Sequence, residues 1–381
     1  LGQGLQVVAA LDEEALAGGP ADAAEKLRGD DEFFSVLPSS VRIFAKTRQN
    51  GQNLRGAPLE VRSARDYLLN NFSLDSCRHK ASENQIRASA KAESSKNKKN
   101  TETVISVREA WFRYEKDSKD ILCGMNFDVH AGELTCIVGG NGAGKTTALL
   151  TAAGVFAPYR GKVKYRGKPI STFRKDKGSA GKIGVLVQNP LCCFVMDSVA
   201  EELEATAKAY KLPRSGIEDV IDIMQLQSVL GSNPYDISGG ELQRAAIAKL
   251  LLPEPEVIFL DEATKGMDAF FKAEFGALLR RLAARGTAIV LVSHDIEFCA
   301  EFADRCAMFF NGTVIAEGTP QDVFLGNSFY TTSACRISRG IIPDALTPEQ
   351  VIDYANRCER KKNDDLSLIH ISEPTRRVVI S

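Results

Sequence analysis

The sequence predicts an α/β fold in which a mostly parallel β-sheet is covered by helices on both faces. Between about residue 104 and residue 325, short apolar runs typical of buried strands alternate with segments of helical periodicity. A glycine-rich segment, residues 139–147, also lies between a predicted strand and a predicted helix. Because parallel strands need crossover connections, which are usually helical, this alternation favours a parallel sheet.

The individual elements follow from apolar runs for the strands and from apolar residues at helical spacing for the helices. Strands are predicted at residues 104–107, 126–129, 134–138, 183–187, 257–260 and 288–292. Helices are predicted at residues 146–155, 199–210, 240–252 and 269–284, and another is predicted to begin at Ile296. The pair Asn311 and Gly312 predicts a tight hairpin turn.

Composition limits the classes of function. The 381 residues contain 48 Lys plus Arg and 49 Asp plus Glu, so no global charge favours nucleic acid, and no nucleic acid is expected as a partner. The nine cysteines are odd in number and lack paired CxxC spacing, which indicates free thiols in a reduced, cytosolic interior. Every apolar run is shorter than the roughly 18 residues that a membrane span requires.

Two segments have compositions that argue against a packed fold. Residues 76–103 are rich in Lys, Ser, Ala and Asn and contain one large aliphatic residue, Ile86. Such a segment cannot repay its ordering entropy, so it predicts a flexible polar linker, and a solvated tether is favoured over phosphate contact by its lysines. Residues 363–381 are interpreted as a non-native or disordered tail, and the start at Leu1 suggests that the natural N-terminus is missing.

Residues 1–75 repeat features found near the end of the chain. They therefore resemble the C-terminal remnant of a first copy of the domain at residues 104–325, and residues 326–362 resemble a C-terminal extension of the second copy. A coincidental match of short segments is the alternative. The recurring residues are Gly18, Gly19, Pro20 and Asp22 with Gly318, Thr319, Pro320 and Asp322, then Phe33 and Phe34 with Phe329 and Tyr330, and finally Arg42 ahead of residues 58–61 with Arg336 ahead of residues 346–349.

Residues 139–147, GGNGAGKTT, match the phosphate-binding pattern G-x-x-x-x-G-K-[ST] in the strand–loop–helix context that the pattern requires. Glycines let successive backbone N–H groups face an anion, and the helix N-terminus adds its positive end. Lys145 is expected to contact the β- and γ-phosphates, and Thr146 is expected to hold Mg²⁺. A structural glycine-rich turn is the alternative. The predicted nucleotide-binding residues of this loop are Gly139, Asn141, Gly142, Ala143, Gly144, Lys145, Thr146 and Thr147.

An acidic strand end supplies the groups that a phosphate loop needs for hydrolysis. The apolar run 257–260 ends in Asp261 and Glu262. Asp261 is expected to meet Mg²⁺ through water, and Glu262 is expected to act as general base on the attacking water. A strand that ends in two solvated acids is the alternative for this motif taken alone.

A second glycine motif, residues 236–244, DISGGELQR, decides which class of phosphate-binding protein the chain resembles. Ser238, Gly239 and Gly240 begin an apolar helix and predict a second anion-binding N-terminus, against the alternative of a plain helix cap. One domain has no need of two phosphate sites, which implies action on a nucleotide held by another domain. Here the chain resembles the ATP-binding cassette (ABC) family, a class of P-loop NTPases, whose signature sequence this is.

The resemblance implies an ABC-type nucleotide-binding domain with a parallel sheet core, an antiparallel β subdomain and a helical subdomain, and it implies ATP and Mg²⁺ as cofactors. Tyr114 resembles the aromatic that stacks on adenine, against the alternative of an aromatic at a strand end. Gln188 resembles the loop glutamine that senses Mg²⁺ and the γ-phosphate, against a surface amide. His294 resembles the switch histidine that contacts the γ-phosphate, against a loop histidine.

Within the family, the chain resembles the fused double-cassette ATPases of energy-coupling factor (ECF) importers. The residues that carry this resemblance are the run 188–190, QNP, the run 265–268, KGMD, and the echoed C-terminal segments. It implies a prokaryotic peripheral ATPase on the cytoplasmic face of the cell membrane, which pairs with a second cassette and drives a transmembrane T subunit and a substrate-binding S subunit for a vitamin, a vitamin precursor or a metal ion. The helix at 199–210 is expected to form part of the groove that receives the T subunit. Glu201, Glu202 and Glu204 are available to arginines of that subunit, and a solvated acidic face is an equally good alternative.

Two alternatives to this function remain open. A soluble ABC-type ATPase that acts on ribosomes or DNA would share every phosphate motif. The chain could also be an inactive fragment that lacks its partner cassette.

Overall fold

The computed structural model describes residues 37–48, 57–72, 102–327, 329–342 and 344–358. These residues fall into two compact units, a smaller one that holds the described parts of 38–72 and 336–358, and a larger one that holds residues 102–335. The N-terminal echo up to residue 36, nearly all of the predicted linker and the whole predicted tail lie outside the described residues.

The smaller unit is helical. Helix α1 (Ser39–Thr47) buries Val41 and Ile43, and α2 (Val61–Asn71) buries Leu68. Near its end the chain forms α11 (Ser333–Ser338), which begins in the larger unit, and α12 (Pro348–Arg357). Arg42 of α1 forms an ion pair with Glu349 of α12. The helices contributed by the two echoed segments therefore contact each other directly.

The larger unit contains two β-sheets. An antiparallel sheet has the order β2-β1-β4-β5. Its strands are β1 (Thr103–Phe112), β2 (Leu122–His130), β4 (Arg160–Tyr165) and β5 (Lys168–Pro169). The second sheet has the order β10-β9-β3-β8-β7-β6, in which only β10 is antiparallel to its neighbour. Its strands are β3 (Leu134–Gly139), β6 (Ile183–Leu186), β7 (Val257–Asp261), β8 (Ala288–Val292), β9 (Arg305–Phe310) and β10 (Thr313–Gly318).

Helices connect and cover the strands of the second sheet. They are α3 (Lys145–Ala152), α4 (Ile170–Phe173), α5 (Val199–Tyr210), α6 (Ser215–Met224), α7 (Gly239–Leu251), α8 (Ala269–Ala284), α9 (Ile296–Phe302) and α10 (Pro320–Phe324). Every residue of β3, β7 and β8 is buried, as expected for parallel strands covered on both faces. The predicted α/β class with its antiparallel and helical additions is confirmed.

Most predicted elements are present, with some shifted ends. The helices predicted at 199–210 and 269–284 have the predicted bounds. The helix predicted at 146–155 ends at Ala152, because Gly154 adopts a left-handed backbone with φ 72°. Asn311 and Gly312 form the predicted hairpin turn with φ of 46° and 78°. Strands β4 and β5 and helices α4, α6 and α10 are among the elements that were not predicted.

A single carboxylate, that of Glu256, accepts several hydrogen bonds just before β7 begins. Glu256 accepts hydrogen bonds from Tyr165 Oη (2.6 Å), Lys182 Nζ (2.9 Å) and Arg166 Nη2 (3.1 Å). Burial raises the pKa of Glu256, but these donors outweigh burial and lower the pKa to about 2. These hydrogen bonds connect β4 with the residues just before β6 and β7.

The cysteines partly contradict the expectation of free thiols. Seven described cysteines are free, whereas Cys358 is disulfide-bonded. Spacing alone could not reveal this bond, because the sequence offers no paired motif around Cys358. In the part of the chain that the structure describes, no helix is both long and apolar enough to cross a membrane.

Candidate active site

Many of the predicted site residues lie at or just beyond the carboxyl ends of four neighbouring strands. Strands β3, β8, β7 and β6 are parallel to their neighbours, so their carboxyl ends meet at one edge of the sheet. The glycine-rich loop follows β3, and Gln188 follows β6. Glu262 follows β7, and His294 follows β8. The topology thus brings motifs that are far apart in sequence to one place.

The loop after β3 needs glycine at defined positions. Gly139, with φ 154°, runs so close to β9 that an added Cβ would lie 2.3 Å from the Phe309 carbonyl oxygen. Gly144, with φ 98°, would place a Cβ 2.9 Å from the Ile121 carbonyl oxygen. A side chain at either position would strain the backbone and collide with main-chain atoms. The glycines therefore set the loop's path from β3 into α3.

Lys145 begins α3 and turns its side chain back over the loop. It is 6% exposed, and its Nζ donates to the carbonyl oxygens of Gly139 and Gly140, each at 2.9 Å. Burial lowers the pKa of Lys145, and the charges of Glu262 and Asp261 oppose that shift. The ammonium is held by two neutral acceptors, which an anionic phosphate can replace with a charge-assisted bond.

Asp261 ends β7 and is 2% exposed. Both of its carboxylate oxygens are buried without a well-formed hydrogen bond. Burial raises the pKa of Asp261, and the nearby Thr146 hydroxyl and Lys145 ammonium oppose this shift. A carboxylate beside a threonine hydroxyl is a donor set that suits Mg²⁺, which keeps water and phosphate oxygens as its other ligands. The residues present therefore fit Mg²⁺.

Glu262 is the centre of a hydrogen-bonded group. Gln188 Nε2 donates to Glu262 Oε2 at 3.0 Å, and His294 Nε2 lies 3.2 Å from Glu262 Oε1. With Asn141 of the loop, these residues line one pocket of about 480 Å³. Glu262 also has φ 52°, a left-handed conformation uncommon outside glycine. The structure thus gathers all three residues predicted to be catalytic in one pocket beside the phosphate loop.

Tyr114 lies at the outer side of the same loop and is 60% exposed. Its ring packs edge-on against Phe112 at 5.2 Å and Phe156 at 5.7 Å between ring centroids. Its hydroxyl lies 3.0 Å from Thr147 Oγ1. An exposed aromatic ring tethered to the helix of the phosphate loop is well placed to stack on a nucleotide base.

The signature residues begin α7 but do not join this pocket. Ser238 caps α7, and its Oγ and N–H both donate to Glu241 Oε2, at 2.6 Å and 2.9 Å. These bonds lower the pKa of Glu241. The capping box confirms the alternative of a helix cap, whereas the anion-binding role of Ser238, Gly239 and Gly240 stays a prediction. None of the residues that line the pocket around Glu262 belongs to this motif.

A second pocket of about 430 Å³ lies between β6, α5 and α7. Most of its lining is apolar, including Val185, Val195, Met196 and Tyr210. Helix α5, which was predicted to form part of a groove for a partner, lines this pocket, and the binding of a partner there stays a prediction. Tyr210, Val195 and Met196 are exposed, so the rim of this pocket offers apolar surface.

The burial of Glu202 contradicts the predicted role of this residue in binding a partner. Glu202 is 1% exposed, and its carboxylate accepts from Lys249 Nζ and from the backbone N–H groups of Val195 and Met196. Burial raises the pKa of Glu202, and these donors together lower it below its ordinary value. Glu201 and Glu204 are exposed, so they remain available to a partner. Sequence reasoning missed Lys249, whose only signal is a lysine within the otherwise apolar stretch 245–252.

Comparisons with known proteins point to one family. The family model described as ABC transporter matches residues 122–265. A Bacillus thuringiensis protein named as an ABC transporter ATP-binding protein is 35% identical over 338 residues, which is 88% of this chain and 58% of that protein. The energy-coupling factor transporter ATP-binding protein EcfA of Methanocaldococcus jannaschii is 32% identical over 226 residues, which is 58% of this chain and 81% of EcfA.

A solved structure is similar as well. CbiO1 from Clostridium perfringens, described as part of the ABC transporter complex cbiONQ, aligns with a TM-score of 0.52 and 30% identity, over 58% of this chain and 90% of CbiO1. The chain spans only part of the curated relatives that it matches over most of its own length, 58% of one and 46% of another.

Proposed function

Because the chain belongs to the ATP-binding cassette (ABC) family, we propose that it binds and hydrolyses ATP to energise a membrane importer, and that the importer is of the energy-coupling factor type. The observation that carries the proposal is the pocket in which Gln188 and His294 both contact Glu262 beside the phosphate loop. That arrangement provides a base, two groups that orient it and a phosphate cradle at one edge of one sheet.

Binding uses the loop, its lysine and Tyr114. The backbone N–H groups from Gly142 to Thr147 receive the β- and γ-phosphates, and Lys145 exchanges its two carbonyl acceptors for phosphate oxygens. Thr146, Asp261 and Gln188 are the residues that would hold Mg²⁺, which supplies neutralisation of phosphate charge. The ring of Tyr114 stacks on adenine.

Hydrolysis uses Glu262 as general base on the attacking water. Gln188 donates to one carboxylate oxygen and His294 lies beside the other, so both side chains set the direction of the carboxylate. His294 is 44% exposed, and its other ring nitrogen is free to approach the γ-phosphate. Water positioning and charge stabilisation supply most of the catalysis in this reaction class.

A complete site needs a second cassette. Ser238, Gly239 and Gly240 lie outside the pocket of their own chain, so we propose that they close over ATP held by the partner cassette, whose signature closes over Lys145. We further propose that residues 1–75 are the remnant of that first cassette, which agrees with the contact between α1 and α12 and with the Arg42–Glu349 ion pair. ATP held between two cassettes would draw them together, and hydrolysis would let them separate.

The 430 Å³ pocket beside α5 supports a membrane partner. We propose that it receives a transmembrane T subunit, which works with an S subunit that selects a vitamin, a vitamin precursor or a metal ion. Among the relatives, EcfA is named as an energy-coupling factor transporter ATP-binding protein, and CbiO1 is described as part of the ABC transporter complex cbiONQ. The chain would then be peripheral on the cytoplasmic face of a prokaryotic membrane.

The test combines turnover with co-purification. We expect Mg²⁺-dependent ATP hydrolysis by the tagged protein in its native host, loss of turnover in Glu262→Gln, and recovery of the protein with membranes and a membrane-spanning subunit. Recovery with ribosomes or DNA would instead favour a soluble ABC-type ATPase. Binding of ATP without any turnover in the membrane-bound complex would indicate an inactive fragment.

A further inference from the structure

The hydroxyl groups of Tyr114 and Thr147 form a hydrogen bond that the proposed function does not use. Their oxygen atoms lie 3.0 Å apart. Tyr114 comes from the segment after β1, whereas Thr147 lies in α3, two residues after Lys145. The bond therefore joins the part of the site expected to hold the base to the part expected to hold the phosphates.

The ring of Tyr114 is fixed independently of this bond. Its edge-on contacts with Phe112 and Phe156 hold it on one side, and those two rings stack on each other with centroids 5.0 Å apart. Thr147 is 4% exposed, so water competes little for its hydroxyl. Removing the Tyr114 hydroxyl should thus leave the ring in place and change Thr147 alone.

The chemistry of the two groups sets the direction of the bond. A phenol is a stronger acid than an aliphatic alcohol, so the Tyr114 hydroxyl is the better donor and Thr147 Oγ1 is the acceptor. Thr147 then keeps its own proton for a second acceptor. Accepting one hydrogen bond makes a hydroxyl a stronger donor in the next, because bonds in a chain polarise one another.

We infer that Tyr114 is a positioning residue for phosphate binding, in addition to its place beside the base. Its hydroxyl orients Thr147 so that Thr147 donates to a phosphate oxygen. The inference rests on the proposed binding of ATP at this loop. It predicts that the Tyr114 hydroxyl contributes to the affinity for a triphosphate that has no base at all.

The test is a double-mutant cycle on the full chain. The variants are Tyr114→Phe, Thr147→Val and the two combined, and the probes are ATP and inorganic tripolyphosphate, each with Mg²⁺, in titration calorimetry. We expect Tyr114→Phe to weaken both probes by about three- to tenfold and by the same factor. In the Thr147→Val background, the same substitution should change Kd by less than about twofold.

Two further sets of variants keep the test clear. Tyr159→Phe is the matched control, because the Tyr159 hydroxyl donates to Asp120 at 3.0 Å and does not touch the loop. Its Kd values should stay within about twofold of the parent. If Thr147→Val fails to fold, the pair Thr147→Ser and Thr147→Ala replaces it, because these two variants differ from each other in the hydroxyl alone.

Three outcomes would overturn the inference. The first is an unchanged Kd in Tyr114→Phe. The second is a weaker affinity of Tyr114→Phe for ATP with an unchanged Kd for tripolyphosphate. The third is a loss of affinity from Tyr114→Phe that is equally large when Thr147 has no hydroxyl. A parent protein that binds neither probe would reject the proposed function itself. A parent that binds both while Tyr114→Phe is neutral would reject only the role of the hydroxyl.

Discussion

Replacing Lys249 with Met would leave the buried carboxylate of Glu202 without its cation. Breaking a fully buried ion pair from one side costs about 3–5 kcal/mol. Two features reduce that figure, since the Lys249 side chain is 24% exposed and Glu202 keeps the backbone donors of Val195 and Met196. We therefore expect Lys249→Met to lower the free energy of unfolding by about 2 kcal/mol.

The coupling between the two side chains is the informative quantity. Glu202→Gln keeps an acceptor for one backbone N–H and should cost about 1 kcal/mol. The double variant should cost about 1.5 kcal/mol, well below the sum of the single costs, because it buries no unpaired charge. Urea unfolding at pH 7, followed by circular dichroism, measures all three values.

A second lysine pair supplies the control. Lys272 and Asp295 lie 2.8 Å apart, but their side chains are 33% and 25% exposed, so Lys272→Met should cost less than about 1 kcal/mol. If Lys249→Met were no more destabilising than Lys272→Met, burial of Glu202 would not strengthen the pair. If the two substitutions in the buried pair were additive within about 0.5 kcal/mol, the two side chains would not be coupled.

Three other substitutions probe separate parts of the structure. The pKa of Glu256 falls to about 2 in the folded protein. The stabilisation that ionised Glu256 provides is therefore fully present above about pH 4.5 and is lost as the pH falls towards 2. Glu256→Gln should be less stable than the parent by about 1 kcal/mol at pH 7, and the urea midpoints of the two proteins should converge as the pH falls. Gly139→Ala would place a Cβ 2.3 Å from the Phe309 carbonyl oxygen, so ATP affinity should fall by about tenfold or more in calorimetry, whereas retained affinity would contradict the glycine argument. Glu262→Gln should retain ATP binding within about threefold and lose turnover by about a hundredfold or more, and turnover near that of the parent would exclude Glu262 as the base.

The sequence could predict the fold wherever burial is nearly complete. Strands β7 and β8 are fully buried, and the apolar runs that form them were recognised with little error. Strand β4 was missed because four of its six residues are exposed, and three of the six are Arg or Lys. Its pairing with β1, rather than its own composition, makes it a strand.

The site was predictable from motifs, but its internal contacts were not. The pattern at residues 139–147 and the acids at 261 and 262 indicate phosphate chemistry because the residue types have few other uses in that order. No local pattern reveals that Glu202 faces inward, since its partner Lys249 lies 47 residues away. The same holds for Tyr114 and Thr147, which are 33 residues apart. Long-range polar contacts depend on the packing of whole elements, which periodicity does not encode.

We propose that the loop from Gly139 to Lys145 binds the phosphates of ATP. The decisive measurement is titration calorimetry with Mg²⁺-ATP on the parent, on Lys145→Ala and on the exposed control Lys162→Ala. We expect Lys145→Ala to weaken ATP binding by about tenfold or more and Lys162→Ala to leave the Kd within about twofold. A Kd for Lys145→Ala equal to that of the parent would show that this loop does not hold the phosphates.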